Sequence, residues 1–148
     1  QSKPIEVNGE KTPFAIRGKY DLLMEFPDGT HGIVDCKFQG RDNDKSAFYT
    51  PQLEAYAFAL ENPAKGEPKA ISHVGLLVWS PVKIRGSSAG NFGMELKCSW
   101  YPVTRDPQTL QSRLSEFILK VTGEIPTAKA NCDQCNYVAN REGIIRAL

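Results

Sequence analysis

The sequence predicts an α/β domain in which helices flank a mixed central β-sheet. Three observations favour this fold class. Short apolar stretches end at turn residues such as those of "PDGT", which is typical of strands. Two longer stretches suit helices, and one of them repeats its apolar side chains at helical spacing. The elements follow the order strand, strand, helix, strand, strand, helix, which fits a mixed sheet with helices packed on it.

The composition is that of a soluble globular protein, with 41% hydrophobic and 24% charged residues. We expect residues 1–148 to form a single domain, and the start at Gln1 suggests a fragment or a processed product of a longer protein. The net charge of +1 carries no overall signature of nucleic-acid binding but leaves room for a local basic groove. No stretch resembles a membrane span or a signal peptide, so we expect no membrane partner. The spacing of "CDQC" argues against a simple disulfide framework, so we expect a reducing, cytoplasmic setting.

The chain is predicted to begin with a hairpin. Residues 1–12 are polar and form either irregular structure or an edge strand. Residues 13–26 are expected to be a strand with a break at Gly18. The turn "PDGT" offers Gly29 for a positive φ angle and leads into the return strand 31–38.

A helix is expected next, after a polar loop. Thr50 suits its N-cap and Pro51 its first helical position, while Asn62 and Pro63 are stop signals. The helix and the hairpin together would form the first half of the domain.

The second half is predicted to hold two more strands and a second helix. A strongly apolar strand covers residues 70–81, a flexible turn covers 83–91, and another strand covers 92–103. Apolar residues at helical spacing predict an amphipathic helix over 107–122. The tail, residues 123–148, contains two cysteines in the pattern C-x-x-C.

Two charged residues, Asp35 and Lys37, lie inside the apolar stretch "GIVDCKF". Charged side chains are rarely buried unless they are paired or bound to a ligand. Residues two apart on a strand face the same side, so these two side chains should project together. Asp21 lies across the hairpin, and two carboxylates with a lysine on one sheet face would suit a divalent cation. The simpler alternative is an internal ion pair.

The length of the hairpin loop decides whether the two acids meet. A two-residue loop would turn Asp21 away from Asp35. A three-residue loop pairs Phe26 with Thr30 and places Asp21 directly opposite Asp35, and such loops commonly end with a left-handed glycine. We therefore predict that Gly29, or a bulge elsewhere in the hairpin, supplies this one-residue correction.

Three short motifs then carry a resemblance to a known family. "GKYD", a gap of thirteen residues, "DCK" and "QLEAY" occur in this order. Together they resemble the PD-(D/E)XK nuclease superfamily, in particular its RecB-like exonuclease branch. The resemblance covers roughly residues 5–60 well. It implies a restriction-endonuclease-like core.

The resemblance also implies a set of site residues. Asp21 and Asp35 would be metal ligands, and the backbone carbonyl of Cys36 would be a further ligand. Lys37 would be the catalytic lysine. A helical pair completes the catalytic set by positioning the lysine and the DNA, and it consists of Gln52 and Tyr56.

The function implied by this resemblance is hydrolysis of DNA phosphodiester bonds with Mg²⁺ or Mn²⁺ as the cofactor. The expected enzyme is an exonuclease in DNA repair, recombination or phage DNA processing. Its expected partner is DNA, together with other subunits or domains of such a complex. Many members of this branch also use an upstream histidine or glutamate, and neither His31 nor His73 fits that position.

Cys132 and Cys135 are a separate candidate cofactor site. Some relatives hold an iron–sulfur cluster with four cysteines, and "CDQCNY" resembles part of that motif. An iron–sulfur or zinc site generally needs four ligands, so the set here is incomplete. Two reduced thiols or one local disulfide are the alternative.

Two rival functions stay open at this point. A non-catalytic DNA-binding or scaffolding module would keep the nuclease fold without turnover. A cysteine-based metal or redox protein would rest on "CDQC" alone. The set of Asp21, Asp35 and Lys37 favours the enzyme, because a purely structural sheet has no reason to assemble it.

Overall fold

The computed structural model describes residues 1–86, 90, 92–124, 129 and 131–147. The chain divides into two compact units, Gln1–Glu116 and Phe117–Leu148. The elements of the described residues are β1 (Glu6–Val7), β2 (Glu10–Lys11), β3 (Leu22–Glu25), β4 (His31–Phe38), α1 (Ser46–Glu61), β5 (Ile71–Gly86), β6 (Phe92–Val103), α2 (Pro107–Thr122) and α3 (Asp133–Ala147).

A four-stranded mixed sheet forms the centre of the first unit, as the sequence predicts. Its strand order is β3-β4-β5-β6. The outer pairs β3–β4 and β5–β6 are antiparallel, whereas β4 and β5 are parallel. A parallel pair needs a crossover connection, and α1 provides it. The buried apolar side chains between α1 and the sheet are Ile33, Leu53, Ala57, Ile71, Val74, Leu76 and Val78.

The β3–β4 hairpin has the predicted three-residue loop. The amide of Phe26 donates to the carbonyl of Thr30 at 2.8 Å, and Leu22 pairs with Val34 further along. Gly29 has a φ angle of +80°, which is the left-handed conformation expected at the end of such a loop. The prediction of hairpin register is therefore confirmed.

The strand predicted over residues 13–26 is wrong for its first two thirds, because β3 contains only Leu22–Glu25. The preceding segment bonds instead to the N-terminal residues. Ile5 donates its amide to the carbonyl of Phe14 at 2.8 Å, and Ser2 donates to Ile16 at 2.9 Å. These bonds satisfy the backbone without a strand ladder.

Helix α1 begins at Ser46, five residues before the predicted first helical position, Pro51. The carboxylate of Asp44 accepts the Ser46 amide at 2.8 Å and so satisfies one of the free donors of the first turn. Pro51 consequently lies inside the helix rather than at its first position. The hydroxyl of Thr50 does not cap the helix but donates to the carbonyl of Ser46 at 3.0 Å.

Strand β5 is longer than predicted, because residues 83–86 extend it rather than form a turn. These residues pair with β6 down to Gly86 and Phe92. Ser87, Ser88, Ala89 and Asn91, which also belong to the predicted turn, lie outside the described residues. The two strands therefore continue as a ribbon beyond the rest of the sheet.

Of the two remaining helices, the sequence analysis predicted one and missed the other. Helix α2 has the predicted bounds, whereas α3 replaces an ending that the sequence left unassigned. In the part of the chain that the structure describes, no helix has the length and apolar character needed to cross a membrane.

A buried ion-pair network fixes α1 against the segment that follows β6. Glu54 is only 1% exposed, and both of its carboxylate oxygens accept from Nε of Arg105, at 3.0 and 3.1 Å. The same guanidinium bonds Glu61 and the carbonyl of Ile71, while the amide of Asp106 donates to Glu54 at 2.7 Å. Because a buried carboxylate is tolerated only when paired, this network sets the position of α1 on the sheet.

Candidate active site

The candidate site lies on β4, where this strand extends beyond its partner β3. The β3–β4 pairing ends at Leu22 and Val34, while residues 35–38 pair with β5 alone. One backbone edge of these four residues is therefore outside the sheet. Asp35 and Lys37 lie on this segment, with their side chains directed to the face that α1 covers.

Asp35 is buried, with 3% of its surface exposed, and it contacts two elements. Its Oδ1 accepts from Nε2 of Gln52 on α1 at 3.3 Å. Its Oδ2 lies 2.5 Å from Nζ of Lys37. This Oδ2 atom is buried, and the ammonium of Lys37 is its one close partner among the described residues. The carboxylate thus keeps free capacity to accept a ligand.

The ammonium of Lys37 lies between Asp35 and an aromatic ring. It is 4.7 Å from the ring centroid of Tyr49, and its side chain is 24% exposed. Burial acts to lower the pKa of Lys37, but the close carboxylate of Asp35 outweighs burial and raises this pKa above its ordinary value. Lys37 is therefore a cation at neutral pH.

Gln52 and Tyr56 are four residues apart on α1 and form one hydrogen-bonded pair. Nε2 of Gln52 donates to the hydroxyl of Tyr56 at 2.7 Å as well as to Asp35. The ring of Tyr56 packs against Gly18, where a Cβ atom would lie 2.8 Å from the ring. Glycine is thus required at this first position of "GKYD", because any side chain would displace the ring of Tyr56.

Asp21 immediately precedes β3 and reaches the same segment of β4 through the backbone. Its Oδ2 accepts the amide of Cys36 at 2.8 Å. Continuing the register one pair beyond Leu22 places Asp21 opposite Asp35, as predicted. Since the N–H and C=O of a strand residue point to the same edge, the carbonyl of Cys36 also faces the edge where Asp21 lies.

The thiol of Cys36 belongs to the opposite face of the sheet. Burial, and then the negative charges of Asp21 and Asp35, raise the pKa of this thiol. It therefore stays protonated at neutral pH, and only the backbone of Cys36 takes part in the site.

The donors of this site fit a hard divalent cation. Asp21, Asp35 and the Cys36 carbonyl offer oxygen atoms only, and among the described residues the buried Oδ2 of Asp35 contacts only the Lys37 ammonium. Within the described ranges, no group of three or more His, Cys, Asp or Glu side chains gathers to form a complete cage. Mg²⁺ suits such a sparse set, because it is usually held by one or two carboxylates and keeps several waters.

Cys132 and Cys135 lie together at the start of α3 as free thiols. The backbone amide of Cys135 is hydrogen-bonded to the Cys132 sulfur and lowers the pKa of that thiol, while the bond between the two thiols raises the pKa of Cys135. Two thiols do not complete a four-ligand site, and the described residues gather no third cysteine, histidine or acid around them.

One cluster near the site was missed by the sequence analysis. Asp42, in the loop after β4, accepts from the Tyr101 hydroxyl at 2.7 Å, from Ser99 at 3.0 Å and from the Lys97 ammonium at 2.5 Å. The bonds from Lys97 and Tyr101 lower the pKa of Asp42 to about 2. The alternation of Lys97, Ser99 and Tyr101 along one strand face was the available signal.

Comparison with known proteins gives one match. The sequence model of the PD-(D/E)XK nuclease superfamily matches residues 1–139. No curated protein and no solved structure matches significantly. The matched range includes the whole mixed sheet, α1, and every predicted site residue.

Proposed function

This chain belongs to the PD-(D/E)XK nuclease superfamily, and on that premise we propose that it is a metal-dependent deoxyribonuclease of the RecB-like exonuclease type. Mg²⁺ or Mn²⁺ would be its cofactor. Its substrate would be DNA in repair, recombination or phage DNA processing.

The observation that carries this proposal is the arrangement around Asp35. A buried carboxylate, whose Oδ2 contacts only the ammonium of Lys37 among the described residues, lies opposite a second acid. A sheet selected only for stability gains little from such a group, because replacing buried ion pairs with apolar residues is often neutral or stabilising.

Asp21, Asp35 and the Cys36 carbonyl would hold the cation. When bound, it would polarise the phosphodiester and lower the pKa of a water molecule. Lys37, which stays positively charged, would orient the attacking water and offset negative charge on the phosphate as water adds across one P–O bond. Its raised pKa argues against a role as the general base.

The helical pair would act through Asp35 rather than on the phosphate. Tyr56 accepts from Gln52, which donates to Asp35 at the same time. This chain of bonds fixes the direction of the carboxylate, and groups behind a metal ligand commonly tune its orientation in this way.

A non-catalytic DNA-binding module is the second candidate, and one observation favours it. Lys37 already neutralises Asp35 at 2.5 Å, so the pair is balanced without a cation. In such a module the two residues would serve the fold only.

Cleavage of end-labelled linear DNA and closed circular DNA separates these functions. The assay is run with Mg²⁺, Mn²⁺ or EDTA on the wild type and on Asp35→Asn and Lys37→Met. Glu67→Gln and Lys65→Met, which remove the same charges from an exposed loop, are matched controls. We expect metal-dependent loss of linear DNA that both site variants abolish and both controls retain.

Survival of the circles would support exonuclease action, since it shows a need for an end. DNA binding without cleavage in any metal would instead favour the binding module. Cleavage that survives Asp35→Asn would refute the proposed site.

A further inference from the structure

An open pocket of about 480 Å³ lies beside the candidate site, at the start of α1. Its volume falls in the range of small-ligand sites. The residues that line it come from the end of β4, the following loop and the first turn of α1. They are Phe38, Gln39, Gly40, Arg41, Asn43, Lys45 and Tyr49.

Tyr49 belongs to both the pocket and the candidate site. Tyr49 lines the pocket, and its ring lies 4.7 Å from the ammonium of Lys37. Phe38, which follows Lys37 on β4, is 62% exposed. A DNA strand with one phosphate at Lys37 would therefore have its neighbouring nucleotide within reach of the pocket.

The pocket combines three kinds of group that suit a nucleotide. Arg41 and Lys45 are exposed cations, and within the described ranges neither forms a salt bridge. Phe38 and Tyr49 are aromatic rings on which a base can stack. Cations and rings together are the usual elements of single-strand binding surfaces.

Gln39 supplies the third kind of group. Both its amide nitrogen and its amide oxygen are buried without a hydrogen-bond partner among the described residues. Leaving a buried amide unpaired is unfavourable, and such a group calls for a ligand that both donates and accepts. The edge of a nucleobase does both.

The far wall of the pocket is held in place before any ligand binds. Asp42 lies between two lining residues and is anchored to β6 by Lys97, Ser99 and Tyr101. Asp44 accepts the first amide of α1. A preorganised wall lowers the entropy lost on binding, which is what a binding loop requires.

We propose that this pocket binds one unpaired nucleotide of the DNA strand, next to the phosphate that is cleaved. Arg41 and Lys45 take its phosphate, Phe38 and Tyr49 stack its base, and Gln39 pairs with the base edge. A base in a duplex has its faces stacked and its Watson–Crick edge paired, so the pocket selects DNA with a single-stranded end. The proposal rests on the proposed function, because it assigns the pocket to the same substrate.

Binding of fluorescent oligonucleotides to the wild type in EDTA tests the pocket without any cleavage. A single strand is compared with a blunt duplex of the same sequence. Phe38→Ala should weaken single-strand binding about tenfold and leave duplex binding unchanged. Arg41→Gln with Lys45→Gln should reduce the salt dependence of binding by about one phosphate contact per cation. Lys83→Gln with Arg85→Gln, on the β5–β6 ribbon, is the matched control.

Gln39→Leu separates a binding role from a structural one. It keeps the side-chain volume and removes the unpaired amide. We expect it to raise the urea midpoint and to weaken single-strand binding. Unchanged single-strand binding in all these variants would overturn the proposal. If the wild type still cleaves DNA in that case, the nuclease stands and only the subsite fails.

Discussion

Asp35 is held by side chains from two directions, Gln52 on the helix and Lys37 on its own strand. Strand periodicity predicted that the acid and the lysine share a face, and helical spacing predicted the pairing of Gln52 with Tyr56. Neither pattern predicts the bond from the Cys36 amide to Asp21, because backbone donors leave no trace in a sequence. The unpaired side-chain amide of Gln39 was also missed, because the tertiary fold and not the local sequence decides its burial.

Gln52→Leu should lower the rate of DNA cleavage by about 10- to 100-fold, because Asp35 loses the donor that orients it. Turnover under saturating Mg²⁺ is the measurement. Gln108→Leu, at an exposed position on α2, makes the same substitution away from the site and should retain the wild-type rate. A wild-type rate for Gln52→Leu would remove this residue from the site.

Lys37 has a folded-state pKa above its ordinary value of 10.5, so it binds its proton more tightly in the folded protein. Its contribution to stability is therefore fully present below pH 10.5 and is lost as pH rises through the folded-state pKa. The free energies of unfolding of the wild type and Lys37→Met should differ at pH 7 and converge above about pH 10.5. Urea unfolding of both proteins between pH 7 and pH values above 10.5 measures this difference. A difference in free energy of unfolding that does not change with pH would contradict the ion pair.

At the scale of elements, prediction succeeded where local chemistry decides the structure. The "PDGT" turn fixed the hairpin register, and the apolar spacing fixed the bounds of α2. Prediction failed where a segment that is distant in the sequence decides the structure. Residues 83–86 contain turn-forming chemistry, yet pairing with β6 extends them as a strand. The start of α1 was missed because Asp44 accepts the amide of Ser46 there, while Pro51 suggested a later start.

Asp42 ties the loop after β4 to β6, and its pKa of about 2 lies below its ordinary 3.8. A lowered carboxylate pKa gives stability that is present above pH 3.8 and is lost as pH falls through about 2. Asp42→Asn should therefore destabilise the protein at neutral pH, and the difference from wild type should vanish near pH 2. Chemical denaturation from pH 2 to 7 checks this, with exposed Glu67→Gln as the control.

Arg105→Leu should destabilise the protein by about 3–5 kcal/mol, because it leaves the buried carboxylate of Glu54 without its cation. Arg113→Leu makes the same change at an exposed position of α2 and should stay within about 0.5 kcal/mol of wild type. Urea unfolding of both variants provides the comparison. Similar stabilities would mean that the network does not fix α1.

At the scale of the whole molecule, the mixed sheet brings together residues that are far apart in the chain. The hairpin delivers Asp21 and Asp35, and the crossover helix delivers Gln52 and Tyr56. The order of predicted elements predicted the mixed sheet with flanking helices, whereas the position of Gln52 and Tyr56 near the acids was an expectation from the family resemblance. The α3 helix was missed because its sequence mixes polar and apolar residues without a helical stripe.

Mg²⁺ should stabilise the folded chain, because a ligand that binds only the native state shifts the folding equilibrium. At a Mg²⁺ concentration tenfold above its dissociation constant, the expected gain is about 1.4 kcal/mol. Thermal unfolding with and without Mg²⁺ measures this gain in stability. Asp35→Asn and Asp21→Asn should lose the response, while Asp28→Asn, in the hairpin turn, should keep it. An equal response in all three variants would place the cation elsewhere.

The left-handed Gly29 has an evolutionary consequence for this hairpin. Residues 22–34 separate the two acids, and a change of one residue in that number would turn Asp21 to the other sheet face. The two acids could then no longer bind one cation together, although every residue of the candidate site would still be present in the sequence. Among natural homologues, insertions and deletions between the acids should therefore be even in number, or be matched by a bulge. We therefore expect selection to act on the parity of this spacing more than on its length.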